Sequence, residues 1–563
     1  MTATEGVNTL TPPGSSSSRW RPLAIIWTIA ILVMLPELIA GPSYSFSFRY
    51  NFIWAGEFSR LFLAGDPWPR WLPALWDGLG SPTFYFYAPL YFWVVSILRA
   101  VSFAMLPVTT ATSIATLIIL AISGVGMRAW LRGFASEKAA LVGAIGYMLA
   151  PYHLDDIYTR GALAEVTAYA LLPFIMVALR RLAAAGKTAD MAALGLVYAL
   201  LILCHLPIAL LASVTLLPLA MLWQAWRDRN FSFLLRCAFA IALGIGLAAW
   251  YWFPALALRP YTSWNAMGGD FFRIDRWFFW AKTVWQVSFQ ALLTLAASLF
   301  AVAALIKSRS ADVLLWVFLI LFSALLISGA LPFFWRLPGL REVQFAWRLL
   351  VVVEFAVISL LVMARPRLMH PLTVGGITAT FVAVGFMFAM VTARIEFGWR
   401  VGETARAVAL SNMAEAPEYL PAGYPIVYDQ WGRADPGQFV APSVPLARAA
   451  GASSISAISD DDGGVTVRVR SASSVRVIVR RFAFPGWVVS DGSTRIETSP
   501  HGRDRLVSWI APPGAHEFRL YRERPAPERV GLLISVSSAV LLLMLWLLGL
   551  LKTSLPLRVK AAQ

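Results

Sequence analysis

Charged residues are scarce in this chain: Asp, Glu, Lys and Arg together make 14% of its 563 residues, against about 25% in an ordinary soluble domain. A soluble chain of this length would divide into several domains, each with a polar surface to cover. So little charge cannot cover them. With hydrophobic residues at 58%, the bulk of the chain is expected to sit in lipid. Cysteine is nearly absent: Cys204 and Cys237 both lie in apolar runs, which excludes a disulfide framework. No Walker loop, His-Glu-x-x-His or Ser nucleophile elbow stands out, which argues against nucleotide and hydrolase chemistry. Acids are outnumbered too, 31 against 47 Lys and Arg for a net +16. In a membrane protein that balance is the mark of basic cytoplasmic turns, so no nucleic-acid partner is expected.

A helix needs about 20 mostly apolar residues to cross the hydrocarbon. Candidate spans are 22–40, 108–128, 138–152, 163–181, 189–205, 207–224, 236–257, 287–306, 312–330, 347–364, 371–392 and 530–551. The first run follows Ser15–Ser18, Arg19 and Arg21 and ends at Pro36-Glu37 without a small-residue cleavage site, so it reads as an anchor. A further apolar stretch, 86–106, competes. Basic clusters stand at Arg19/Arg21, Arg128/Arg132/Lys138, Arg180/Arg181/Lys187, Arg227/Arg229/Arg236, Lys307/Arg309, Arg365/Arg367 and Lys552/Arg558/Lys560. They share one side only if 86–106 does not cross. It is therefore read as a juxtamembrane helix on the outer face. The predicted fold is a polytopic α-helical membrane protein with about twelve spans and both termini cytoplasmic.

The chain then divides into a cytoplasmic tail 1–21 and a transmembrane domain 22–393, whose first outer loop is 41–107. An extracytoplasmic β-rich domain 394–528 and a last helix with its tail, 529–563, complete it. The β domain alternates, with Val465, Val467, Val469 and Val475, Val477, Val479 facing one way. A second outer loop, about 258–286, is dense in aromatics, among them Trp264, Phe271, Trp277 and Trp285.

Two outer segments hold chemistry. From Tyr50 to Ala64 an amphipathic pattern puts Ile53, Trp54, Phe58, Leu61 and Phe62 on one stripe, and Glu57 shares it. Such an acid needs a role or a partner, and Arg60 and Arg49 are at hand. Asp66-Pro67-Trp68-Pro69-Arg70-Trp71 and Tyr85-Phe86-Tyr87-Ala88-Pro89 predict a rigid loop, not a tether. The second segment, His153-Leu154-Asp155-Asp156-Ile157-Tyr158-Thr159-Arg160 followed by Glu165, crowds acids and an arginine at a membrane rim, an expensive placement unless used. His205 before Pro207 serves equally as cap or ligand. Arg348 opens a span, where it can snorkel, and Glu354 lies deeper, where an unpaired charge is costly. Arginines are unusually frequent on the outer face, which suits an anionic ligand such as phosphate. Asp460-Asp461-Asp462-Gly463 reads as a solvated turn over a cation site, and Trp487 as a core aromatic over a sugar platform.

The runs Gly65-Asp66-Pro67-Trp68-Pro69-Arg70-Trp71, Gly78-x-Gly80-x-Pro82 and Phe86-Tyr87-x-Pro89 resemble a family of bacterial membrane proteins. These are the 6-pyruvoyl-tetrahydropterin-synthase-related, YfhO-like proteins. Asp156-x-Tyr158-x-Arg160-Gly161-Ala162-Leu163-Ala164-Glu165 is the most specific match; His205-Leu206-Pro207, Gln344-Phe345-x-Trp347-Arg348 and Phe484-Pro485-Gly486-Trp487 also match. The resemblance implies a GT-C glycosyltransferase fold in the bacterial inner membrane, with its β domain periplasmic. It implies a polyprenyl-phosphate-linked sugar as donor and a glycan or other extracytoplasmic acceptor. The family pattern places an Asp and a His four residues apart after the first span, and the matching positions are Ser47 and Asn51. Neither can act as a base, so the base must be another outer acid. The candidates are Asp156, Glu57, Asp155 and Glu165, with Arg160, Arg348 and Arg70 on the lipid phosphate and Tyr158, His205, Trp71 and Tyr87 lining the acceptor cavity. A divalent cation could bridge Asp155 or Asp156 to phosphate. Two other readings stay open: a non-catalytic scaffold or binding protein for lipid-linked glycan, and a flippase, which would call for an internal repeat that is not evident.

Overall fold

The computed structural model describes residues 17–42, 45–264, 272–282, 287–363, 416–428, 434–435 and 444–554. The expected span 371–392, the basic residues Arg365, Arg367, Arg558 and Lys560, and Phe271 and Trp285 lie outside these residues.

Among the described residues eight helices are long and apolar enough to cross a membrane: Trp20–Ile39, Val108–Leu131, Leu163–Ala185, Leu206–Arg227, Ser288–Lys307, Ala311–Ser328, Ala346–Met363 and Ala526–Gly549. A ninth arises if Ser232–Leu247 and Ala249–Tyr261, bent by 65° at their junction, count as one. Two expected spans fall short. The stretch at 138–152 forms the helix Glu137–Met148, of 12 residues, and stops before Pro151, whose ring bars the preceding residue from helical backbone. The stretch at 189–205 forms Thr188–Cys204, of 17 residues, closed where His205 turns extended ahead of Pro207.

The contested stretch 86–106 contains a helix of only 12 residues, Leu90–Val101. At 1.5 Å per residue it reaches about 18 Å, against about 30 Å of hydrocarbon. It packs on the amphipathic helix Phe48–Leu63. That helix buries Ile53, Trp54, Phe58 and Leu61 as the stripe requires, and the rings of Phe58, Phe84 and Phe92 meet edge to face. The loop beyond it is rigid for the same reason, since Trp71, Trp76, Phe84, Tyr85 and Phe86 are all buried.

The β domain is a sandwich of two antiparallel sheets. One orders Ala447–Arg448, Val475–Phe482, Leu506–Ala511 and Ser499–His501; the other orders Ser454–Ser459, Val465–Ser471, Gly514–Arg522, Trp487–Ser490 and Arg495–Ile496. The alternating valines all point inward, and Trp509 of one sheet meets Phe518 of the other with ring centres 5.7 Å apart. Trp487 is core, its indole N–H donating to the Phe482 carbonyl at 3.1 Å. In the aspartate turn, Asp462 accepts from the Gly464 amide at 2.9 Å.

This domain rests on the first outer loop. The Phe482 amide donates to the Leu79 carbonyl at 2.8 Å and Arg481 to the Gly78 carbonyl at 2.7 Å. The Arg522 guanidinium lies 4.3 Å from the Trp71 ring centre.

Candidate functional site

The site forms where the chain after Met148 fails to continue as a simple helix. Pro151–Asp155 makes one turn, and Asp156–Arg160 then widens into a π-turn, a form that often marks functional positions. Gly161 closes it in left-handed backbone at φ 61, with the Ala162 amide donating to the Asp156 carbonyl at 2.8 Å. A methyl at Gly161 would collide with the Ser45 hydroxyl. The start of the first outer loop is stitched to this turn: the Phe46 and Ser47 amides donate to the Thr159 and Arg160 carbonyls at 3.0 and 2.9 Å.

Wound this way, the segment gathers its charges around Glu165, which is fully buried in the first turn of Leu163–Ala185. Its Oε1 accepts from the Tyr152 hydroxyl at 2.7 Å. Its Oε2 accepts from Arg160 Nη2 at 3.1 Å and from Arg348 Nε at 3.2 Å. Arg160 also pairs with Asp156 and donates to Tyr152. Arg348 is steadied by the Val343 carbonyl at 2.5 Å. Asp156 is fully buried, and its Oδ2 has no hydrogen-bond partner among the described residues. Burial pushes its carboxyl up against the pull of Arg160. Glu354 anchors the turn from beneath, accepting from the Tyr152 amide at 2.7 Å and the Tyr169 hydroxyl at 2.8 Å.

Two further expected residues border the group. His205 accepts from the Ile208 amide at 3.4 Å, which makes it a cap; burial and the Arg348 charge lower its pKa to about 3 and leave it neutral. Tyr87 senses Arg348 and Arg160 as well as Glu165 and Glu418, and burial pushes its phenol up to about 12.

The structure places four expected residues elsewhere. Glu57 pairs with Arg60 at 3.1 Å, and Arg60 in turn reaches the Asp461 carbonyl of the β domain, so this acid serves the junction between loop and domain. Arg70 does not join Arg160 and Arg348. Its Nε lies 3.5 Å from Glu528 at the start of the last helix, its Nη2 donates to the Trp250 carbonyl, and the rings of Trp68 and Tyr85 flank it. Trp71 packs edge to face on Trp487. Tyr158 donates its hydroxyl to the Val33 carbonyl in the first helix. No group of three or more His, Cys, Asp or Glu side chains that could hold a metal ion occurs among the described residues.

Sequence reasoning missed Tyr152, the bridge between Arg160 and Glu165, and Glu418, which enters from the chain ahead of the β sandwich. Tyr152 lies one residue ahead of the His153–Glu165 segment singled out above, one turn from Asp156. Glu418 gave no signal: its neighbourhood comes from distant chain.

Residues 84–401 match the 6-pyruvoyl-tetrahydropterin synthase related domain family, a family of membrane proteins. The chain belongs to this family. No curated protein sequence matches it. Among solved structures, it is similar to the arabinofuranosyltransferase AftD from Mycobacteria, at 16% identity and a TM-score of 0.42, over 67% of this chain and 27% of that one. It is also similar to the arabinosyltransferase EmbB from Mycobacterium smegmatis, at 13% identity and a TM-score of 0.41, over 93% of this chain and 64% of that one. The chain thus spans about a quarter of AftD and under two thirds of EmbB.

Proposed function

We propose that this family member is a GT-C membrane glycosyltransferase, moving a sugar from a polyprenyl-phosphate donor to an extracytoplasmic acceptor. In this reading it sits in the bacterial inner membrane, with both termini cytoplasmic and the β domain outside. The observation that carries the reading is the convergence of Arg160 and Arg348 on Glu165. One buried carboxylate holds two guanidiniums from distant stretches of chain side by side. Among the described residues, Arg160 Nε and Arg348 Nη2 donate no hydrogen bond. Such paired, unspent donors suit a phosphate, and they would stabilise the charge it gains as the sugar leaves. Glu165 is spent on positioning. Asp156 orients Arg160.

The test is sugar transfer in membranes alongside binding of undecaprenyl phosphate to the purified full chain. Arg160→Ala, Arg348→Ala and Asp156→Asn should each abolish transfer with expression intact, and the arginine variants should weaken binding. Wild-type behaviour in all three would remove the assignment.

A second reading, a non-catalytic binder of lipid-linked glycan, is favoured by one observation. The position matching the family's His is Asn51, whose amide is spent on the Gly161 carbonyl at 2.6 Å. Binding without transfer by the wild-type chain would select it.

A further inference from the structure

A second group of cations stands at the other end of the helical bundle. Glu165 opens the helix Leu163–Ala185, and Arg180 lies near its close, about 22 Å further along the axis. There the ends of five membrane-length helices enclose a cavity of about 330 Å³. They are Val108–Leu131, Leu163–Ala185, Leu206–Arg227, Ala311–Ser328 and Ala346–Met363. The buried part of the cavity wall is apolar, with Met176, Leu179, Ala220, Phe233 and Trp316. The less buried part carries Arg180 and Arg227 against one acid, Asp312, so the lining is net positive.

Arg180 is aimed by carbonyls and not by an acid. Its Nη1 and Nη2 donate to the Trp130 and Ala129 carbonyls at 2.7 and 3.2 Å, and its guanidinium lies 5.3 Å from the Trp130 ring centre. Among the described residues no carboxylate pairs with it and its Nε donates no hydrogen bond. Gly133 makes room for this arrangement, because a methyl there would occupy the place of Arg180 Nη1. Arg227 is held more loosely. Its Nη1 stands 3.6 Å from Asp312, which also accepts from the Trp223 indole N–H at 3.3 Å.

A half-buried cation without an acid, beside an apolar hollow, suits an anion with an apolar body. Place narrows the choice. The cavity lies at helix ends, and beside it Trp226 is exposed with its ring 5.2 Å from that of Trp223, as tryptophans are at the level of lipid headgroups. Basic pockets between spans take anionic headgroups, and the arginine fork matches phosphate oxygens. We infer that this cavity binds one anionic glycerophospholipid of the bilayer. Its phosphate rests on Arg180 and Arg227, and its glycerol and first acyl carbons rest on Met176, Leu179 and Trp316. The site is separate from the Arg160–Arg348 pair and does not depend on the glycosyltransferase reading.

The experiment uses the purified full chain in detergent and reads the first lipid bound by native mass spectrometry. Phosphatidylglycerol should bind ahead of phosphatidylcholine, and excess inorganic phosphate should not displace it. Arg180→Ala and Arg227→Ala should each weaken phosphatidylglycerol about fivefold. Gly133→Ala keeps every charge but moves the Arg180 guanidinium, so it should weaken binding as well. Lys138→Ala removes an exposed charge outside the cavity and should change nothing, as should Arg160→Ala. Equal binding of the two lipids overturns the inference, and so does displacement by inorganic phosphate. Wild-type affinity in both Arg180→Ala and Gly133→Ala overturns it too, and these are independent routes to one loss should either variant fail to fold. Undecaprenyl phosphate that binds through Arg180 more tightly than phosphatidylglycerol would give the cavity to a different lipid and sink the assignment.

Discussion

The side-chain amide of Asn51 donates to the backbone carbonyl of Gly161 at 2.6 Å, across 110 residues of sequence. Both groups are buried, and the bond ties the entry of the first outer loop to the π-turn carrying Asp156 and Arg160. The carbonyl it satisfies would otherwise face no solvent. Asn51→Leu keeps the volume and removes the donor, so it should cost about 1–3 kcal/mol. Thermal unfolding in detergent measures this, and an unchanged midpoint would show that the bond contributes nothing.

Gly161→Ala should destabilise for a different reason. Its backbone is left-handed, which costs an L-residue about 1–2 kcal/mol, and the added methyl meets the Ser45 hydroxyl. The double variant Gly161→Ala with Ser45→Gly should regain the part due to collision and none of the backbone part. Equal midpoints for single and double variants would refute the collision.

Tyr85 donates to Glu528 at 2.9 Å, joining the first outer loop to the root of the last helix. Arg70 and Arg524 each stand 3.5 Å from the same carboxylate. Tyr85→Phe removes a hydrogen bond to a charged group, a loss of about 1.5–3 kcal/mol. The β domain leans on this junction, so limited proteolysis near residue 524 should quicken in the variant. Cleavage at the wild-type rate would place the restraint elsewhere.

Glu418 makes stability depend on pH in a defined direction. Its pKa in the folded chain, about 7, exceeds the ordinary 4.5. Between those values the folded state keeps a proton that the unfolded state releases. Its contribution is fully present below about 4.5 and is lost as pH rises through about 7. The wild-type thermal midpoint should therefore fall across that window relative to Glu418→Gln, which lacks the titration. Parallel curves for the two proteins would contradict the raised pKa.

The valine alternation at 465–469 and 475–479, the buried stripe Ile53–Trp54–Phe58–Leu61 and the charge cluster from Asp155 to Glu165 were legible from local spacing. Partners were not. Glu57 found Arg60 within its own turn, a choice the spacing offered. Arg70 instead met Glu528 at the far end of the chain, which no local pattern announces. The span count fared between the two: apolar runs were found, but Pro151 and the bend at Ala248 shortened or broke them.

Sequence by itself determined the class of this protein. Too little charge for a soluble surface, and apolar runs of membrane length, follow from composition and period, which need no neighbours. Tertiary structure decided which acid faces which arginine, leaving Glu165 saturated and Glu418 without a cation among the described residues. The physical reason is reach: an ion pair or hydrogen bond exists only within a few ångströms, and packing of distant helices sets those distances.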